Sequence, residues 1–240
     1  MYEDRLLEHC TIAIENIGDL NEEGFAMARR NGVGASDSSA ILGTMPKFRT
    51  ADDVLCNKLE KTYTDAEKAI GEIVNVRKGK TLEPYILQQA EKQLGMPIWK
   101  SANMYRLIDY PHLTINYDGL TVLDDQLIPV EAKFVSTYGD KYYNFASPDP
   151  APIGFSAGTT NLEKVEEAAK WHGIPPYYLV QVQQQLMGTG APYAYLAALR
   201  DKDWTVYLFK IPAYDWMQTW LAVETYRFWN RVERARRNGA

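Results

Sequence analysis

Residues 113–135, LTINYDGLTVLDDQLIPVEAKFV, decide how this chain is read. Apolar residues recur at strand spacing over 113–122 and 127–135, and the Asp124-Asp125 pair between them is turn chemistry, so the segment reads as two neighbouring strands. Side chains alternate along a strand, which puts Glu131 and Lys133 on one face and Ala132 on the other. Asp118 closes the first strand just before Gly119, with twelve residues between it and Glu131. Two carboxylates and an ammonium on adjacent strands suit phosphodiester hydrolysis. Carboxylate oxygens are the hard ligands that Mg²⁺ prefers, the ion stabilises the attacking and leaving oxygens, and a nearby lysine orients or activates the water. By itself, Asp followed by Glu-x-Lys is short enough to arise by chance as charges on a surface strand, so the flanking segments have to decide.

Upstream, residues 68–94 read as a long helix closed by Gly95-Met96-Pro97 and carrying Gly79-Lys80-Thr81-Leu82-Glu83. Glu83 would lean a third carboxylate over the pair; as a solvated i,i+3 partner of Lys80 it would be ordinary surface. Downstream, residues 175–187 read as a semi-buried helix. Tyr178, Gln181 and Gln185 share one stripe, and Leu179, Val182 and Leu186 share another with Gln183 among them, so only one of Gln181 and Gln183 can face the carboxylates.

Nearer the amino terminus, residues 22–30 read as a helix stopped by Asn31-Gly32. Ser36 is placed to cap a further helix that Gly43 ends, and residues 51–59 form another. Residues 98–100 and 105–109 read as short strands. The 147–161 segment, with Pro148, Pro150, Pro152, Gly154 and Gly158, reads as a long exposed loop. A strand pair at 193–199 and 205–211 and a last helix at 215–237 complete the chain. Strands with helices on both sides indicate a layered α/β domain.

With 240 residues, 46% of them apolar, the chain has material for one sizeable core. A net charge of −5 argues against a surface coated in basic residues, so any nucleic-acid contact must be concentrated in a local channel. Cys10 and Cys56 form no CxxC, which indicates neither a disulfide framework nor structural zinc. The charged amino terminus and the absence of eighteen consecutive apolar residues predict a chain neither exported nor membrane-spanning, with the cytoplasm as its default location.

In order, these segments resemble the phage lambda exonuclease and YqaJ-type viral recombinase family of the PD-(D/E)xK nuclease superfamily. Arg29 and Gly32-Val33-Gly34-Ala35-Ser36-Asp37 match its opening turn, Gly79 to Glu83 its Gly-x-x-x-Glu helix, and Asp118-Gly119-Leu120 its Asp-Gly-Leu strand end. Glu131-Ala132-Lys133 matches its Glu-x-Lys strand and Tyr178 to Gln183 its Tyr-x-x-Gln-x-Gln helix. The resemblance implies a restriction-endonuclease-like three-layer α/β core, a central mixed β-sheet flanked by helices. A single domain over 1–240 would then comprise an N-terminal helical segment (1–24), a catalytic core (25–212) and a C-terminal helix (213–240). It further implies that Asp118, Glu131 and the Ala132 carbonyl bind Mg²⁺, two ions per site with Mn²⁺ as a substitute, that Glu83 assists, and that Lys133 positions the water.

By the same resemblance Gln181 is favoured over Gln183 at the metal, leaving Gln183 to the DNA, Arg29 and Ser36 contact phosphates beside the scissile bond, and Lys47 and Arg49 fall where the terminal 5′-phosphate is held. The implied activity is 5′-to-3′ digestion of double-stranded DNA ends, leaving 3′ tails for recombination with a single-strand annealing protein, in the host cytoplasm if the chain is phage-encoded. The implied assembly is a homo-oligomeric ring, a trimer, whose basic inner channel and acidic exterior would reconcile the net charge. The stretch between Lys133 and Gln181 is longer than in the lambda member, so polarity and processivity transfer less directly than hydrolysis. An endonuclease or single-strand nuclease of the superfamily, and a non-catalytic DNA-binding subunit, are the other readings. His9, His112 and His172 lack ligand spacing. Trp216, Trp220, Tyr226 and Trp229 read as core or interface anchors, and Arg231, Arg234, Arg236 and Arg237 as DNA contacts or solvated charge.

Overall fold

Asp124 and Asp125 both adopt left-handed backbone, φ 48° and 64°, and so form a tight two-residue connection whose twist matches the strands on either side. A computed structural model describes residues 3–45, 47–146 and 154–239. In chain order it holds α1 (Glu3–Leu6), β1 (Cys10–Ile14), α2 (Glu22–Arg29), β2 (Val33–Gly34), α3 (Ala35–Ile41), α4 (Ala51–Leu59), α5 (Asp65–Gly71), α6 (Val74–Leu94) and β3 (Met104–Leu107). There follow β4 (Leu113–Ile115), β5 (Gly119–Leu123), β6 (Gln126–Val135), α7 (Asn161–His172), α8 (Pro176–Thr189), β7 (Tyr193–Arg200), β8 (Thr205–Pro212) and α9 (Asp215–Arg237).

The strands form two mixed four-stranded sheets, ordered β1-β3-β4-β2 and β5-β6-β7-β8. In the second, β5 and β6 form the Asp124-Asp125 hairpin, β6 runs parallel to β7, and β7 and β8 are antiparallel. Strand alternation gives β6 two buried faces. Val130 and Ala132 pack with Ile86 and Ala90 of α6, while Glu131 turns the other way toward α8. The result is helix, sheet, helix, the layered α/β core with mixed sheets flanked by helices that the sequence indicated. The strand expected over 113–122 is broken at Asn116-Tyr117-Asp118, so β4 and β5 belong to different sheets and Asp118 lies at the junction.

α8 meets both sheets and α3. Its closest approach to the first sheet is at Gly188, where a Cβ would meet the Tyr117 hydroxyl and Ile115 Cδ1. The Cys10 thiol donates to the Gly188 carbonyl at 3.4 Å.

Two expectations are corrected, and a third is tested only in part. The helical segment at 1–24 contains instead a strand, β1, because Cys10-Thr11-Ile12-Ala13-Ile14 pairs with β3 and buries Cys10. The helix expected over 68–94 is two helices; Thr64 and Glu67 cap α5 reciprocally, and α6 starts afresh after Ile73. The loop expected over 147–161 lies partly outside the described residues, and α7 follows it with a reciprocal Thr160–Glu163 cap. Among the described residues no helix is long and apolar enough to cross a membrane.

Candidate active site

The β5–β6 register pairs Gly119 with Val130, so the next position outward sets Asp118 beside Glu131. Asp118 Oδ2 accepts the Ala132 backbone N–H at 3.0 Å, which fixes its rotamer against β6. Glu131 is 1% exposed, a depth at which a carboxylate needs several donors. Lys133 Nζ and Gln181 Nε2 both donate to Oε1, and Gln185 Nε2 donates to Oε2. The Lys133 ammonium also sits 5.0 Å from the centre of the Tyr178 ring.

Burial pushes the Asp118 carboxyl up to about 8, Glu131 adds to the shift, Lys133 opposes it, and Glu83 reinforces it. Burial lowers the affinity of Lys133 for its proton, but the Glu131 and Asp118 carboxylates outweigh this and hold the ammonium charged well above its ordinary range. The pair of carboxylates is thus short of positive charge, although one lysine already serves it. Glu83 is near enough to act on Asp118, but its carboxylate binds Lys100 Nζ at 2.6 Å instead of joining the pair. Among the described residues no three His, Cys, Asp or Glu side chains are grouped to hold a metal ion. The donor set fits a hard divalent cation carried by two carboxylates, a backbone carbonyl and water.

Arg29, Ser36 and Arg49 form a second group at the start of α3. Ser36 is not the N-cap; Gly34 occupies that position and its N–H is taken by the Asp37 carboxylate at 3.2 Å. The Ser36 hydroxyl is free of capping duty and accepts from Arg29 Nη2 at 2.7 Å. Asp37, buried, is bound by Lys58 Nζ at 2.7 Å and Arg49 Nη1 at 2.6 Å, with Arg29 at 3.5 Å. Three cations around one carboxylate leave net positive charge, and the Arg29 and Arg49 side chains remain 34% and 29% exposed, able to receive an anion. Lys47 is exposed.

α8 holds the two groups in register. The Ser38 hydroxyl donates to Gln184 Oε1 at 2.5 Å and the Ser39 hydroxyl to the Tyr177 carbonyl at 2.6 Å, while Gln184 Nε2 donates to the Val33 and Thr114 carbonyls. Gln181 faces the carboxylates as favoured. Gln183 does not face DNA: it is fully buried, donates to the Pro212 carbonyl at 2.9 Å and accepts from the Tyr214 N–H at 2.8 Å, tying α8 to the β8–α9 junction.

Two members of the site were missed in the sequence. Gln185 stands one helical turn from Gln181 on the same stripe, and that spacing could have found it. Lys58, buried one turn from Val54 on α4, carries no signal that separates it from a surface lysine. His112 bonds Thr225 at 3.0 Å and His172 bonds Tyr214 at 2.7 Å; burial pushes both down to about 4, the state of neutral structural imidazoles. Trp216, Trp220 and Trp229 pack against the core, and Tyr226 is 57% exposed. Arg231 pairs with Asp52 at 2.9 Å and Arg236 donates to the Arg30 and Lys58 carbonyls, so these two arginines dock α9.

A family model described as the YqaJ-like viral recombinase domain matches residues 24–192, a span that holds every side chain of both groups. No curated protein matches the sequence. Among solved structures, an alkaline exonuclease (LHK-Exo) from Laribacter hongkongensis is 18% identical with a TM-score of 0.55, over 87% of this chain and 91% of that one. LHK-Exo in complex with dAMP is 17% identical with a TM-score of 0.57 and the same coverage. At that identity the likeness is one of fold.

Proposed function

This chain belongs to the YqaJ-like viral recombinase domain family, and we propose that it is a Mg²⁺-dependent nuclease that digests double-stranded DNA from 5′ ends and leaves 3′ single strands. The observation that carries the reading is Glu131, a buried carboxylate beside Asp118 that is held by Lys133, Gln181 and Gln185. The one lysine bonded to this carboxylate also serves a second acid, Asp118, whose hydrogen-bond partner is the Ala132 N–H. The fold likeness to an alkaline exonuclease, one structure of which holds dAMP, supports release of deoxynucleotides from ends.

In this reading Asp118, Glu131 and the Ala132 carbonyl hold Mg²⁺, with Glu83 assisting through bound water and Mn²⁺ an acceptable substitute. When bound, the ions supply positive charge for the attacking and leaving oxygens. Lys133, fixed between Glu131 and the Tyr178 ring, orients the attacking water, and Gln181 and Gln185 keep the Glu131 carboxylate from rotating away. Arg29 and Ser36 take the phosphates beside the scissile bond, and Arg49, with Lys47, the terminal 5′-phosphate. The reading includes a trimeric ring around the duplex and an annealing partner for the 3′ tails. Linear duplexes with 5′-phosphate or 5′-hydroxyl ends and strand-specific labels test it: Mg²⁺-dependent loss of the 5′ label is expected, and a wild-type protein that releases no nucleotide would overturn it.

A further inference from the structure

We propose that Phe48, Tyr138 and Tyr142 form a stacking shelf at the mouth of the site that takes the unpaired bases of single-stranded DNA. The proposal deepens the nuclease reading and rests on it for the identity of the polymer. Phe48 is 60% exposed and Tyr138 69%, so each ring keeps most of its surface open to solvent. The rings are connected to the catalytic lysine from two sides. Phe48 meets Tyr177 edge-on at 6.0 Å, and Tyr177 meets Tyr178, the ring under Lys133, at 4.5 Å. From the other direction Tyr138 meets Tyr142 at 6.5 Å, and Tyr143, next in the chain, lies 6.4 Å from Tyr178.

Cations are interleaved with the rings. Lys141 Nζ stands 4.0 Å and 5.0 Å from the centres of Tyr138 and Tyr142. The hydrogen bond and charge of Lys141 hold the Tyr138 phenol below its ordinary range, helped by Tyr142 and, least, by the charge of Lys47, which adjoins Phe48. Exposed rings beside ammonium groups match a strand with free π-faces and a phosphate backbone, and this sequence-tolerant pairing is how unpaired nucleic acid is commonly held. A duplex hides its base faces, and an apolar protein surface would gain nothing from Lys47 and Lys141. The shelf thus supplies stacking for unpaired bases.

The full chain in EDTA, where DNA is bound without being cut, tests this with a labelled oligo(dT), an abasic oligomer of equal length and a blunt duplex. Phe48→Ala and Tyr138→Ala are each expected to weaken oligo(dT) binding about tenfold, leaving the abasic oligomer and the duplex within about twofold of wild type. Phe48→Trp is expected to lose part of its added fluorescence when oligo(dT) binds, and not with the abasic oligomer. The proposal is overturned if the variants hold oligo(dT) as tightly as wild type, if oligo(dT), abasic oligomer and duplex weaken together, or if only oligomer mass changes. Because these readings need no cleavage, a wild type that binds oligo(dT) through Phe48 but never cuts would overturn the nuclease reading alone.

Discussion

Gln185 Nε2 donates to Glu131 Oε2, and this bond occupies the carboxylate oxygen that neither Lys133 nor Gln181 reaches. The amide oxygen of Gln185 is buried and has no hydrogen-bond partner. An unsatisfied acceptor costs about 1–3 kcal/mol, and an apolar residue here would remove that cost while taking a donor from Glu131 Oε2, so the two changes in stability oppose each other. Gln185→Leu is therefore expected to leave the urea midpoint nearly unchanged while kcat falls about 10–100-fold and the Mg²⁺ requirement rises. An equal loss of stability and activity would make Gln185 a packing residue.

Lys133→Ala removes the one cation that bonds Glu131 among the described residues. Cleavage is expected to fall about 10²–10⁴-fold, with duplex binding in EDTA kept near wild type. A cleavage assay run beside an anisotropy titration checks both halves of the statement.

Acid sensitivity is expected to originate at Asp37. Burial opposes its ionisation, but Lys58, Arg29 and Arg49 outweigh burial and hold the carboxyl well below its usual range. A carboxylate depressed on folding contributes stability above its unfolded value, near 3.9, and that contribution is lost as pH falls toward the folded value. Urea unfolding should show a slope of up to about 1.4 kcal/mol per pH unit on acidification below that point, and Asp37→Asn should flatten it. Lys58→Met, which breaks a pair with both side chains 1% exposed, should cost about 3–5 kcal/mol at neutral pH.

Gly188→Ala is expected to destabilise by about 1–3 kcal/mol, since its methyl would collide with Tyr117 and Ile115 where α8 crosses the first sheet. Urea melts check the magnitude. Activity per folded molecule should survive if α8 moves as a body, and fall if Gln181 and Gln185 are drawn off Glu131.

β6 and α8, and the body of α6 though not its start, were legible because their periods run unbroken for several residues. Asp118, Glu131, Lys133 and Gln181 followed from those periods and the family resemblance together. What failed were local competitions. Ser36 looks like a cap, yet Asp37 is the residue whose carboxylate takes the Gly34 N–H. Cys10-Thr11-Ile12-Ala13-Ile14 is too short to declare itself a strand until β3 pairs with it. The Thr160-x-x-Glu163 cap was present in the sequence but sat at the end of a proline-rich run that suggested only loop. Lys58 and Gln183 were beyond reach, because a buried polar side chain is defined by partners from distant segments, here Asp37 and the β8–α9 junction.

The left-handed pair Asp124 and Asp125 has a consequence for how spacing works in this protein. The turn is a ruler: five residues of β5 separate it from the site, and together with the β6–β7 ladder it counts off which residue of β6 stands opposite Asp118. A one-residue slip would rotate Glu131 to the α6 face and bring an alanine or valine to its place. One glycine inserted between Asp124 and Asp125 should therefore abolish cleavage in a protein that still folds, every catalytic side chain intact and none at its post. The distance between Asp118 and Glu131 along the chain is thus an inherited measurement, kept at the far end of a hairpin from the chemistry it calibrates.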